Sequence, residues 1–91
     1  MKKITIFYLP GCPWCAHARR AIGELLEDPQ FAGTEIEWID ESAEAELADR
    51  FDYYYVPAAF DGSRKLYEAR PSHDYEGVRE GLRSALKEVR G

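Results

Sequence analysis

The fold is decided by residues 3–15, which read KITIFYLPGCPWC. Residues 3–9 are mostly β-branched, aromatic or otherwise apolar, a composition typical of a strand that is covered on both faces. The Pro-Gly pair that follows ends the strand. Pro13 suits the first position of a helix, where its missing N–H removes no hydrogen bond. The segment therefore predicts a strand that turns into a helix, with Cys12 at the turn and Cys15 one helical turn further on.

The rest of the chain predicts alternating helices and strands. The predicted elements are a helix from Pro13 that Asp28-Pro29 and Gly33 close, a strand over 34–39, a short helix over 42–51, an approach to a strand over 53–60, a returning strand over 65–68 and a last helix from Asp74. An initial β-α-β unit joins two parallel strands, and the later hairpin must add to the same sheet. We therefore expect one domain over residues 1–91, an α/β fold with a four-stranded mixed sheet and helices on both faces.

Charge is spread unevenly along the chain, whose formal net charge is −5. Residues 1–23 carry four basic residues and no acidic one, whereas residues 24–52 carry eleven acidic residues and one basic residue. The two cysteines lie in the acid-free segment. An acidic total without a long basic stripe argues against a nucleic-acid partner.

The cysteine content and the N-terminus predict the compartment. Two cysteines cannot build the disulfide framework on which small secreted domains depend. Only six mostly apolar residues follow Lys2 and Lys3, which does not match a signal peptide. No apolar stretch approaches the roughly 20 residues needed to cross a bilayer. We therefore expect a cytoplasmic monomer that has no membrane partner.

The pair Cys12 and Cys15 carries the strongest chemical signal. A nucleophilic sulfur must be a thiolate, and the free N–H groups and positive dipole end at a helix N-terminus stabilise negative charge. Cys15 follows three residues later, so it lies on the same helix face and deeper in the protein. The spacing therefore predicts a redox-active disulfide with Cys12 as the nucleophile and Cys15 as the resolving cysteine.

Two other uses of the same cysteines stay open. A Cys-x-x-Cys pair is half of a zinc site, but zinc normally takes four ligands, and the chain adds only His17 and His73. We assign both histidines to the surface and expect no bound metal or other cofactor. A metal- or iron–sulfur-binding module is nevertheless the alternative, and an interaction domain whose thiols are incidental is a third possibility.

The first strand, Cys12-Pro-Trp-Cys15 at a helix start, and Val56-Pro57 before a hairpin resemble the thioredoxin superfamily. Within it, the short element order is similar to that of glutaredoxins, and the resemblance covers essentially the whole chain. It implies a thioredoxin fold and a cis Val56–Pro57 bond against the dithiol. It also implies that the backbone of Val56 offers hydrogen bonds to an extended substrate segment.

The resemblance implies a thiol–disulfide oxidoreductase that reduces protein or small-molecule disulfides. Its electrons would come from a thioredoxin reductase or from glutathione. Glutaredoxins commonly carry a lysine at the position of Leu9, and a Gly-Gly pair with an acidic residue where this chain has residues 67–74, YEARPSHD. Both features are absent, so we expect weak turnover with glutathione.

A few aromatic and basic side chains are secondary candidates. Trp14 should point away from the face that carries the cysteines and be partly exposed, where it contacts a partner or caps the loop. The three tyrosines at 53–55 suit packing under a sheet end, with one of them a candidate for the substrate groove. Arg70 is either a solvated loop residue or a contact for an anionic substrate.

Overall fold

The strand expected at the start of the chain is β1, Lys3–Tyr8, in a computed structural model that describes residues 2–90. The elements that follow are α1 (Pro13–Leu25), β2 (Glu35–Asp40), α2 (Ala45–Ala48), β3 (Ala58–Asp61), β4 (Arg64–Glu68) and α3 (Tyr75–Arg90). This order is the predicted one, β-α-β-α-β-β-α.

The strands form a four-stranded mixed sheet in the order β2-β1-β3-β4. β1 pairs with β2 in parallel and with β3 antiparallel, and β3 and β4 form the predicted hairpin. β1 is thus an inner strand, which agrees with its continuous apolar sequence, because Ile4, Thr5, Ile6 and Phe7 are all buried. The mixed α/β sheet expected from the sequence is confirmed.

Alternate side chains of β1 enter two separate cores. Ile4 and Ile6 pack with buried side chains of α1 and α3. Phe7 points to the other face and packs with Phe60 and with Ala48 of α2. Helices therefore cover both faces of the sheet, as predicted.

The second face is covered mainly by aromatic rings, because α2 is short. The Phe7 ring centroid lies 4.7 Å from that of Phe51 and 5.1 Å from that of Tyr53. Phe60 meets Phe51 edge-on at 5.0 Å. Offset and edge-to-face pairs of this kind add to the free energy gained by burial.

The helix predicted over 42–51 was too long, since α2 spans only Ala45–Ala48. The carboxylate of Asp40 accepts hydrogen bonds from the Ser42 amide at 2.9 Å and from its hydroxyl at 2.6 Å. This local turn competes with a helical start, as Asp and Ser side chains commonly do. After α2 the chain forms a tighter turn, in which the Phe51 amide donates a hydrogen bond to the carbonyl of Ala48, three residues earlier.

α3 follows the predicted apolar stripe closely. Its buried residues are Val78, Leu82, Ala85, Leu86 and Val89, and Tyr75 is half-buried at its start. The spacing of three and four residues places this stripe on one face, which packs against α1 and the sheet. No helix within residues 2–90 is both long enough and apolar enough to cross a membrane.

Close contact between α3 and β4 leads to a test of the packing at Gly81. A Cβ at Gly81 would lie 2.1 Å from Cε1 of the buried Tyr67 ring. Replacing a helical glycine by alanine normally stabilises by roughly 0.5–1 kcal/mol. We expect Gly81→Ala instead to lower the free energy of unfolding by about 1–3 kcal/mol, because the ring must move. Urea unfolding followed by circular dichroism measures this change.

Gly23 of α1 is the matched control, because nothing lies within 4 Å of a Cβ built there. Gly23→Ala should raise the free energy of unfolding by about 0.5–1 kcal/mol. Equal stabilisation by the two substitutions would contradict the packing described here.

Candidate functional site

The turn between β1 and α1 sets the position of both cysteines. Gly11 has a φ of 79°, in the left-handed region that other residues rarely adopt. The Cys12 amide donates to the Leu9 carbonyl at 3.4 Å, which closes the turn. Cys12 is the N-cap residue of α1 with extended backbone, and Pro13 is the first helical residue, as predicted.

The two cysteines differ sharply in exposure. Cys12 is half-buried, whereas Cys15 is only 3% exposed. The sulfur of Cys15 accepts a hydrogen bond from the Leu9 amide at 3.5 Å. Burial, together with the neighbouring Cys12 thiol and the nearby charge of Glu41, raises the pKa of the Cys15 thiol to about 12, although the Leu9 hydrogen bond lowers it. The deeper position expected for Cys15 is confirmed.

Val56 and Pro57 lie beside the dithiol turn. Phe7 pairs with Ala58 in the β1–β3 ladder, so Pro57 lies alongside the end of β1, where the turn departs. The Val56–Pro57 bond is cis, as the resemblance implies. Pro57 is buried, and its carbonyl accepts from the Ala69 amide at 3.0 Å.

Trp14 is half-buried and is hydrogen-bonded to the loop before α3. Its indole Nε1 donates to the carbonyl of His73 at 3.0 Å. The ring also lines a mainly apolar cavity of about 110 Å³, whose walls are Trp14, Tyr55, Val56, Ala69, Arg70 and Pro71. The partial exposure predicted for Trp14 is confirmed, and the structure brings Trp14 and Val56 to one cavity.

A second depression, of about 290 Å³, contains both cysteines. It is lined by Tyr8, Leu9, Pro10, Gly11, Cys12, Pro13, Cys15, Ala16 and Arg19. The guanidinium carbon of Arg19 lies 4.1 Å from the centroid of the Trp38 ring and 5.0 Å from that of Tyr8. Sequence patterns do not single out Arg19, because this contact combines residues from three elements.

Glu68 fixes the loop that leads to Val56. Its Oε2 accepts hydrogen bonds from the amides of Tyr54 at 2.6 Å and Tyr55 at 2.7 Å, and its Oε1 pairs with Lys65 at 2.9 Å. Burial alone would raise the pKa of this carboxyl, but the three hydrogen bonds outweigh it and lower the pKa to about 2. The amides of Tyr54 and Tyr55 thus pair with a side chain, and Pro57 has no N–H to donate, so the regular pairing of β3 begins at Ala58.

The tyrosines at 53–55 have three different environments. Tyr53 packs in the aromatic core and donates a hydrogen bond to Glu41. Tyr54 is 83% exposed, and Tyr55 lines the cavity next to Trp14. The expected packing role thus applies to Tyr53, and Tyr55 is the tyrosine that lines the cavity with Trp14 and Val56.

Both histidines reach the surface, as predicted, but each is partly covered by a tyrosine. His73 is half-buried, and its Nδ1 is hydrogen-bonded to the Tyr67 hydroxyl at 2.8 Å. His17 is half-buried against the Tyr75 ring, with centroids 5.7 Å apart. Within residues 2–90, no three side chains among His, Cys, Asp and Glu are grouped as a metal site requires.

The Glu68 contacts predict a pH-dependent contribution to stability. Its pKa of about 2 in the folded protein lies below the ordinary value of 4.5, so the contribution is present above pH 4.5 and is lost as the pH falls towards 2. We expect Glu68→Gln to lower the free energy of unfolding by about 1 kcal/mol at pH 7, since hydrogen bonds to a charged acceptor are the stronger kind. The difference from wild type should shrink between about pH 5 and pH 2, measured by urea unfolding at each pH.

Glu88→Gln is the control for this prediction. Glu88 faces Arg64 at 3.8 Å in an exposed pair, so its loss should change stability at pH 7 by less than about 0.5 kcal/mol. A Glu68→Gln difference that stays constant or grows as the pH falls would contradict the assigned role of the carboxylate.

Two comparisons of the sequence with known proteins found no match. No family model matches the chain, and no curated protein matches it. The chemistry of the dithiol region is therefore inferred from its own residues.

Proposed function

We propose that the chain is a thioredoxin-fold thiol–disulfide oxidoreductase that reduces protein or small-molecule disulfides through Cys12 and Cys15. The observation that carries the proposal is the unequal pair at the β1–α1 turn, with a half-buried Cys12 at the N-terminus of α1 and a buried Cys15 one helical turn further on. The reaction needs this inequality, because one sulfur must attack the substrate first and the other must stay unreactive until the mixed disulfide has formed.

The reaction takes place in two exchanges. The thiolate of Cys12 attacks one sulfur of the substrate disulfide; the substrate S–S bond breaks, and the departing thiolate takes a proton from solvent. A mixed disulfide then links Cys12 to the substrate. Cys15 attacks the Cys12 sulfur, the second substrate thiol leaves, and a Cys12–Cys15 disulfide forms. Two electrons pass from the protein to the substrate.

The environment of Cys15 supports its role as the resolving cysteine. Its pKa of about 12 keeps the thiol protonated while Cys12 meets the substrate, so the two sulfurs do not compete. In the second exchange Cys15 loses its proton as it attacks, and the substrate thiolate that leaves Cys12 takes up a proton directly or through solvent, so the exchange balances.

Val56 and the cavity beside it suit an extended substrate segment. Within residues 2–90, neither the amide nor the carbonyl of Val56 takes part in the backbone hydrogen bonds of turns and loops. Both groups are thus left to pair with a substrate backbone, as in β-strand addition. The apolar cavity between Trp14, Tyr55 and Val56 would receive a neighbouring apolar side chain of the substrate.

Single-cysteine variants test the roles of the two sulfurs. With insulin as substrate, we expect Cys12→Ser to abolish disulfide reduction, because the nucleophile is lost. Cys15→Ser should accumulate a mixed disulfide through Cys12, because the resolving thiol is lost. Mass spectrometry of the non-reduced protein measures the added mass, and the reduced sample is its control. Turnover by Cys12→Ser, or no trapped species with Cys15→Ser, would contradict these assignments.

The same samples separate the proposal from the two other uses of the cysteines. A colourless, metal-free preparation that reduces insulin would exclude a metal or iron–sulfur module as the source of activity. An interaction domain with incidental thiols predicts no turnover by the wild type. Failure of the wild type to cycle between dithiol and disulfide at any potential would overturn the proposed function.

The electron donor is tested by a direct comparison. A flavin-dependent thioredoxin reductase with NADPH is set against glutathione with glutathione reductase, using one substrate and one protein preparation. We expect the thioredoxin reductase to support the faster turnover, because Leu9 and the segment over 67–74 lack the residues with which glutaredoxins hold glutathione. Omitting each donor gives the background rate. Faster turnover with glutathione would contradict this prediction.

A further inference from the structure

Arg19 is held on an aromatic platform next to the dithiol. Its guanidinium stacks over Trp38 at 4.1 Å and over Tyr8 at 5.0 Å, and the two rings meet edge-on at 6.1 Å. Tyr8 and Trp38 belong to neighbouring strands of the sheet, so the platform is part of the fold's frame. An arginine held in this way has lost conformational freedom before any ligand arrives.

The donors of Arg19 are not used by the described part of the chain. None of the ion pairs and side-chain hydrogen bonds within residues 2–90 involves Arg19, whereas its neighbour Arg20 pairs with Glu24 at 3.3 Å. Stacking occupies the faces of a guanidinium and leaves the N–H groups at its edge. These groups form a planar fork that matches a carboxylate.

Arg19 also lies where a substrate would pass. It lines the same depression of about 290 Å³ as Cys12 and Cys15. This depression is separate from the apolar cavity beside Val56. A substrate that brings its disulfide to Cys12 therefore places nearby side chains within this depression. Arg19 is the only charged residue among those that line this depression, although the carboxylate of Glu41 is near enough to raise the pKa of Cys15.

We propose that Arg19 is a specificity-determining residue that binds the carboxylate of an acidic side chain close to the reactive cysteine of a protein substrate. This inference rests on the proposed function and names the substrate class that the site prefers. Arg19 touches the substrate beside the disulfide and takes no part in the sulfur exchange itself.

Synthetic peptides test the preference. Each peptide is blocked at both ends and carries one cysteine as a mixed disulfide with 2-thiopyridine. A single Glu is moved through the three positions on either side of the cysteine, and a peptide with Gln at the same position is its partner. Pre-reduced protein supplies both electrons in a single turnover, and release of 2-thiopyridone gives the second-order rate constant.

We expect the wild type to react about tenfold faster with the Glu peptide than with its Gln partner at one or more positions, the size expected of one charge-assisted hydrogen bond. Arg19→Ala should reduce the ratio of the Glu to the Gln rate constants to about one, and this ratio cancels any effect of the substitution on Cys12 itself. Added salt should reduce the preference of the wild type, because the contact is at the surface.

Arg90→Ala is the matched control. It removes the same charge from an exposed position near Asp28, beyond the end of α1 opposite to Cys12, so the preference should be kept. Circular dichroism of both variants checks that each is folded. Persistence of the preference in Arg19→Ala, its absence in the wild type at all six positions, or an equal loss of rate with the Gln peptides would overturn the inference.

The outcome also separates this inference from the function beneath it. If the wild type reacts rapidly and equally with every peptide, the proposed function stands and the role of Arg19 is overturned. If the wild type reacts no faster than glutathione at the same concentration, both proposals are overturned.

Discussion

The pairing of β1 with β3 through Phe7 and Ala58 is the contact on which the site depends. Cys12 and Pro57 are far apart in sequence, and this ladder places the ends of their strands side by side. Both faces of β1 are covered, so sliding the register by one residue would turn Phe7 out of the aromatic core and bring Ile6 into it. The loss of apolar packing in such a shift fixes the register. The register in turn places the dithiol turn next to the loop that contains Val56.

The fold gives two chemically identical thiols different environments, and burial is the largest cause of the difference. Cys12 caps α1 and stays accessible, while the helix carries Cys15 three residues inward to 3% exposure. Desolvation disfavours a thiolate, so Cys15 keeps its proton. The Leu9 amide partly offsets this cost by donating to the Cys15 sulfur. In the proposed mechanism, the Cys15 thiol therefore stays unreactive until Cys12 has formed the mixed disulfide.

The regular elements were predictable because each depends on its own residues. The apolar stretch of β1, the Pro13 helix start and the stripe of α3 are local patterns. α2 was predicted too long because the competing Asp40–Ser42 turn depends on side-chain geometry that composition does not show. The roles of Glu68 and His73, and the platform under Arg19, could not be predicted at all. Each joins elements that are distant in sequence, and nothing local distinguishes Glu68 from any other acidic residue at a strand end.

Polar contacts from the end of β4 and from the loop after it hold both sides of the cavity that we propose receives a substrate side chain. The Trp14 indole is bonded to the His73 carbonyl, and the amides of Tyr54 and Tyr55 are bonded to Glu68. A loop without such anchors would have to be ordered when the substrate binds, at a cost to affinity. Here these contacts form when the chain folds, so the proposed substrate segment would meet walls that are already ordered. The residues that order these walls, Glu68 and His73, lie outside the dithiol turn itself.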